Sequence, residues 1–306
     1  YEITCRDWSS DVCSSDLKLS LIKKIERNKI SLDEVSIMPR GVTVNSKEYK
    51  NSISNNLIQV IGGTNIQKYL IKRGNKRKPD RFLESDRKEI NNKMDIFKQK
   101  RIVYQNVVSS DPKIIATIVK EFTVTDDTLN NLVITDRNYI YEFLLCLLNS
   151  KLFVFYLKYV ATNLSKLTVH LDIPYLGKFP IPLMKVSNQL PFIEKAEIML
   201  EKNKEILEVS NKFTELLKAD FNIDKLPTKL ENWYKLNWAD FTSELKKIKI
   251  ELKSSMKEDW KESFDRFKAK VNEIQFIIDN TDKEIDLMVY QLYDLTEEEN
   301  KIVESS

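Results

Sequence analysis

Seven cations crowd one stretch of the chain: Lys68, Lys72, Arg73, Lys76, Arg77, Lys78 and Arg81. Asp80 is the one acid among them, and Tyr69 lies inside the group. Such a cluster either solvates a loop or meets a polyanion, where each neutralised phosphate releases counter-ions. The surrounding text favours the second use. Positions 18–185 carry 29 Lys and Arg against 16 Asp and Glu, a net +13. Positions 186–306 carry 19 against 26, a net −7, and the first 17 residues −3. A near-neutral total of +3 thus hides a basic half joined to an acidic one.

Other chemistry is poorly served. His170 is the single histidine, beside Thr168 and Asp172 and ahead of Pro174. A lone loop histidine is most often structural or exposed, and is read so. Asp80, Glu84 and Asp86 are spaced as in an ordinary charged loop rather than as a metal site. Asp126-Asp127 reads as a turn or helix cap. Gly62-Gly63 is the one glycine pair, but a basic run follows it instead of an amphipathic helix, and no GxxxxGK[ST] occurs. Cys5, Cys13 and Cys146 form neither a disulfide framework nor a zinc spacing, and a reducing cytoplasm is the expected compartment. The apolar stretch 139–161 is interrupted by Glu142, Asn149, Lys151 and Lys158, so no membrane contact is expected. No self-sufficient catalytic site, metal or cofactor is expected in this chain.

The elements that must position the cations come next. Leu19, Ile22 and Ile25 predict a helix from Lys18 to about Arg27. β-Branched runs predict strands at 42–44, 57–61, 102–108, 114–119 and 132–135. A long amphipathic helix is expected after Asp136, through Tyr159, and Pro174, Pro180, Pro182 and Pro191 mark a loop-rich exit. Beyond about Asn188 the text reads as helical. Phe241, Leu245, Ile248 and Leu252 form one stripe. Trp260, Phe264, Phe267, Val271, Ile274 and Ile278 form another, with Ser254-Ser255 between them, as in an antiparallel helical hairpin. Thr281 with Glu284 and Thr296 with Glu299 read as capping boxes, each starting a short helix. The expected class is α+β: a mixed α/β domain over 18–185 and an all-α domain over 186–306. Tyr1–Leu17 stands apart. Its CRDWSSDVCSSDL resembles a translated sequencing adapter, so 1–17 is expected to be a disordered artefact and the gene truncated upstream.

Four stretches, in order, carry a resemblance. Ile58-Gln-Val-Ile-Gly-Gly-Thr-Asn-Ile-Gln-Lys-Tyr69 is similar to the Pro-Val-Ile-x-Gly-x-Asp-Ile-x-Arg-Tyr opening of the TaqI-like C-terminal specificity domain. It departs at Gly63, Asn65 and Lys68, and a lysine lacks the bidentate fork of arginine. Leu144–Leu152 resembles the family's LLNSKL helix, and Gly177–Pro182 its closing PIP. Glu284–Glu299 is similar to the end of large fused restriction–modification enzymes. The resemblance implies a target-recognition domain for double-stranded DNA, attached to an adenine-specific DNA methyltransferase that is often fused to an endonuclease. The Asn-Pro-Pro-Tyr type of motif that holds a flipped adenine is absent here. That motif, and the S-adenosylmethionine site, would then lie in a methyltransferase domain upstream on the same polypeptide, with magnesium if a nuclease is fused. On this reading Lys68, Tyr69, Lys72, Lys76, Lys78 and Arg81 serve the backbone, while Asn65, Gln67, Arg73, Asn75, Arg77 and Lys166 are candidates for base edges. Asn149-Ser150 is read as structural. The alternatives are a protein-interaction scaffold and the specificity subunit of a multi-subunit restriction enzyme.

Overall fold

A computed structural model describes residues 10–27, 29–52, 54–72, 74, 79–109, 114–160, 168–170 and 176–305. The helices are α1 (Ser10–Glu26), α2 (Leu32–Val35), α3 (Lys88–Asn91), α4 (Met94–Phe97), α5 (Tyr141–Asn149), α6 (Lys151–Val160), α7 (Val186–Phe221), α8 (Thr228–Glu231), α9 (Trp238–Lys247), α10 (Ser254–Leu292) and α11 (Glu297–Glu304). The strands are β1 (Lys29–Ser31), β2 (Ser36–Ile37), β3 (Leu57–Ile61), β4 (Ile66–Gln67), β5 (Leu70–Ile71), β6 (Arg81–Glu84), β7 (Arg101–Gln105), β8 (Val107–Ser109), β9 (Ala116–Val119), β10 (Val124–Thr125), β11 (Leu129–Ile134), β12 (Thr168–His170) and β13 (Pro180–Pro182). The chain is α+β and divides into two compact units. One combines Tyr1–Arg73, Asp80–Ala196 and Lys283–Ser306; the other combines Gly74–Pro79 with Glu197–Asp282.

The first unit is built on the antiparallel sheet β2-β11-β7-β9. β7 and β9 bury nearly every residue, as β-branched runs do when both faces are covered. α5 packs on β7 and β9 and is buried along almost its whole length. A second sheet, β10-β3-β6, joins one parallel and one antiparallel pair. β1 pairs with β13, which puts the Pro-Ile-Pro segment against 29–31. The carbonyls of Pro180 and Pro182 accept from the hydroxyls of Tyr293, at 2.6 Å, and Tyr139, at 3.1 Å.

The expected long helix over 136–159 is instead two helices. Ser150 is extended at ψ 156°, and its hydroxyl donates to Leu147 O and accepts the Phe153 N–H at 3.2 Å, capping α6. Asn149 holds the backbone of Ala116 on β9 through both its oxygen and its amide nitrogen, at 3.3 and 3.1 Å. The structural reading of this pair therefore holds. Asp286, 3% exposed, accepts the Lys151 N–H at 2.9 Å. Asp286→Ala is expected to cost about 1–2 kcal/mol of stability in urea denaturation, because it leaves that N–H unpaired at a helix start.

In the second unit α7 and α10 lie antiparallel. Phe221 meets Trp260 at 5.3 Å between centroids, Phe213 meets Phe264 at 6.1 Å, and Glu205 meets Lys270 at 3.4 Å. α9 adds Trp238 and Phe241 against Phe264. Phe213 and Trp233, 4.0 Å apart, are fully buried at the centre of this aromatic core. The expected second stripe is thus present, and the long arm opposite it is α7.

Several local expectations change. Thr281 starts no helix: it is buried inside α10, because Ile278, Ile285 and Val289 continue the apolar face without a breaker. Thr296 does cap α11, with Glu299 reciprocating. Pro191, expected to mark a loop, lies inside α7 as its sixth residue, where it removes the i→i−4 bond to Ser187 O. Val42 forms a single bridge to Asp126 in place of a strand over 42–44. α1 begins at Ser10, inside the set-aside leader. Among the described residues no helix is long and apolar enough to cross a membrane.

Candidate nucleic-acid interface

β3 delivers the chain to Gly62-Gly63, and all four backbone polar groups of this pair are fixed. The Gly62 N–H donates to Asn65 Oδ1 at 3.0 Å, and Gly62 O accepts the Asn65 N–H at 2.8 Å. The Gly63 N–H donates to Thr128 Oγ1 at 2.7 Å, and Gly63 O accepts from Gln105 Nε2 at 2.7 Å. A side chain at 62 would push the neighbouring Arg81 and Asp126 groups aside. A Cβ there would stand 2.4 Å from both Arg81 Nη2 and Asp126 Oδ2. Those two groups form an ion pair at 2.5 Å, and the guanidinium also stacks on Tyr49 with its carbon 4.7 Å from the ring centre. The other oxygen of Asp126 accepts the Thr128 N–H at 3.0 Å and the Thr128 hydroxyl.

From this turn the β4–β5 hairpin emerges, with Lys68-Tyr69 as its loop. Tyr69 takes φ 61°, a left-handed conformation that costs an L-residue about 1–2 kcal/mol. Burial offsets the strain: Tyr69 is 1% exposed, and its N–H donates to Ala116 O at 3.0 Å. Lys68 lies 5.8 Å from the same ring. Past the hairpin, the Lys72 N–H donates to Asn65 O at 2.6 Å and Lys72 O accepts from Asn65 Nδ2 at 3.3 Å. The turn, Gln105, Ala116 and the 126–128 turn all meet at one end of the four-stranded sheet. β8 continues from that end and pairs with β12.

The candidates of the sequence divide accordingly. Gln67 is exposed, and Lys68 and Lys72 are partly so. Asn65 is 8% exposed, with its amide engaged inside the turn. Tyr69 is an anchor, and Arg81 is committed to Asp126 and Tyr49. Arg73, Asn75, Lys76, Arg77, Lys78 and Lys166 lie outside the described residues. His170 stands opposite Val107 in the β12–β8 register. Sequence reasoning missed Tyr49, Gln105, Asp126 and Thr128 as supports of the turn. Asp126-Asp127-Thr128 was legible as a turn, but its partner Arg81 is 45 residues away. Asp80 accepts from Gln59 Nε2 at 2.8 Å and Glu84 pairs with Lys50 at 2.8 Å, so these acids are separately engaged. Among the described residues no three His, Cys, Asp or Glu side chains are placed to hold a metal ion.

Residues 58–181 match the family model described as the TaqI-like C-terminal specificity domain. The match takes in the 58–69 and 144–152 stretches and reaches Ile181 in the Pro-Ile-Pro segment. Residues 185–289 match a model described as a domain of unknown function (DUF8810). No curated protein matches. Among solved structures, the chain is similar to the HsdS subunit from Thermoanaerobacter tengcongensis, with 12% identity, TM-score 0.35, and coverage of 73% of this chain and 50% of that one. It is also similar to the type-I restriction-modification system S subunit from M. genitalium, with 13% identity, TM-score 0.41, and coverage of 69% and 49%. The chain spans about half the length of the solved structures it matches.

Proposed function

We propose that this chain is a DNA-sequence specificity module of a restriction–modification enzyme, binding duplex DNA through the 66–81 region of its basic half. The observation that carries the reading is a coincidence in place. The segment that matches the TaqI-like specificity domain is also the one that holds the seven-cation cluster and the braced hairpin next to it. Backbone contacts would come from the cations and set the register; base edges would be read by polar residues near the hairpin, Gln67 foremost. The partner in this proposal is an adenine-specific methyltransferase domain on the same polypeptide, which would supply the S-adenosylmethionine site, with magnesium if an endonuclease is also fused. The likeness of Glu284–Glu299 to the end of fused restriction–modification enzymes favours that setting over a separate specificity subunit. The compartment that fits is the cytoplasm.

The test is a gel-shift titration of the chain on duplex DNA at several salt concentrations. Six phosphate contacts predict that log K falls with log salt at a slope of about −5. Affinity that ignores salt, or retention of cellular proteins but not of DNA, would favour an interaction scaffold instead.

A further inference from the structure

Arg81 sits at the end of the cationic stretch, yet its geometry gives it a different task. Its guanidinium is 2.5 Å from Asp126 and lies over Tyr49. Asp126 is 3% exposed, and among the described residues Arg81 is the cation paired with this carboxylate. The pair carries no net charge, and a phosphate would have to displace a carboxylate already in contact. The far side of Asp126 grips Thr128, and the Thr128 hydroxyl accepts the Gly63 N–H at 2.7 Å. Gly62 leaves no room for a Cβ beneath the pair. A continuous line therefore runs from Arg81 through Asp126 and Thr128 to the turn that launches the 66–71 hairpin.

We infer that Arg81 and Asp126 are positioning residues that fix the hairpin for reading sequence, and that Arg81 contacts no phosphate. The inference rests on the specificity reading above. Position matters because a base-edge hydrogen bond tolerates little displacement, whereas a phosphate contact from a flexible lysine tolerates much. Loss of the brace should therefore remove discrimination while leaving general affinity in place.

The experiment uses the full chain and a pool of random-sequence duplexes, with sequencing of the bound fraction and a salt titration on one fixed duplex. The variants are Arg81→Gln, Asp126→Asn and Thr128→Val. The last keeps the ion pair and removes the hydroxyl that joins Asp126 to the Gly63 N–H, at an exposed residue, so it guards against loss of folding in the others. Melting curves confirm that each variant is folded. The expected result is at least a tenfold loss of motif enrichment in all three, with the salt slope unchanged. If Arg81→Gln keeps the motif and makes the slope shallower by about 0.9, Arg81 is a phosphate contact and the inference is overturned. Undiminished enrichment by Thr128→Val also overturns it. Wild-type chain that binds duplexes but enriches no motif, or binds none, sinks the functional reading itself.

Discussion

Arg101→Met is expected to lower the stability of the first unit by about 3–5 kcal/mol, because several buried neutral acceptors lose a charged donor at roughly 1–3 kcal/mol each. Arg101 opens β7 and is 0% exposed. Its listless appearance in the sequence, as one more cation, conceals a guanidinium surrounded by oxygen. Nε donates to Asn131 Oδ1 at 2.8 Å, Nη1 to Phe97 O at 3.0 Å and Gln99 O at 3.2 Å, and Nη2 to Thr123 O. Burial pushes its pKa down to about 10, which still leaves it charged at neutral pH. A planar fork with five donors can satisfy carbonyls that arrive from α4, from the loop before β7 and from the loop after β9. Methionine fills the volume but orphans those acceptors, at roughly 1–3 kcal/mol for each that stays dry. Arg101→Lys should fall between the two, since an ammonium has three donors and no fork. Guanidinium-chloride or thermal unfolding decides the order. A methionine variant as stable as wild type would show that the carbonyls find other partners.

The case of Arg101 explains what the sequence could and could not reveal. Strands at 57–61, 101–105 and 116–119 were legible because β-branched runs state their own burial. The aromatic stripe of α10 was legible for the same reason, from helical spacing. β11 was placed too late because Asn130-Asn131 reads as a turn. Both are buried in the strand, where Asn130 bonds Asn106 and Asn131 serves Arg101, Thr125 and Pro39. The break at Ser150 was hidden because the apolar face is unbroken on both sides of it. For the candidate site, the charge was legible and the geometry was not. Composition cannot separate a cation aimed at a ligand, as proposed for Lys68 and Lys72, from one held by an acid 45 residues away, as Arg81 is. Nor could it show that Asn65, in a motif position, spends its amide on the turn.

That separation sets up the larger functional effect. Replacing Lys72, Arg73, Lys76, Arg77 and Lys78 together by Ala should weaken duplex binding by about 10³- to 10⁴-fold at 0.15 M salt, or roughly 5 kcal/mol. The estimate takes each cation as one phosphate contact, with about 0.9 of salt slope apiece, so the slope should become shallower by about 4.5. The share lost with Lys72, Lys76 and Lys78 should be the same on every duplex, because phosphate contacts carry no sequence information, while Arg73 and Arg77 are also candidates for base edges. The hairpin brace should survive, since it is built from Gly62, Gly63, Asn65, Asp126 and Thr128, and the bonds between Lys72 and Asn65 use the Lys72 backbone N–H and C=O. Affinity is therefore expected to collapse while the hairpin keeps its place, the reverse of the outcome for Arg81→Gln. A quintuple variant that binds at wild-type strength, with its slope intact, would move the polyanion contact away from this stretch and leave the +13 of the basic half to some other surface.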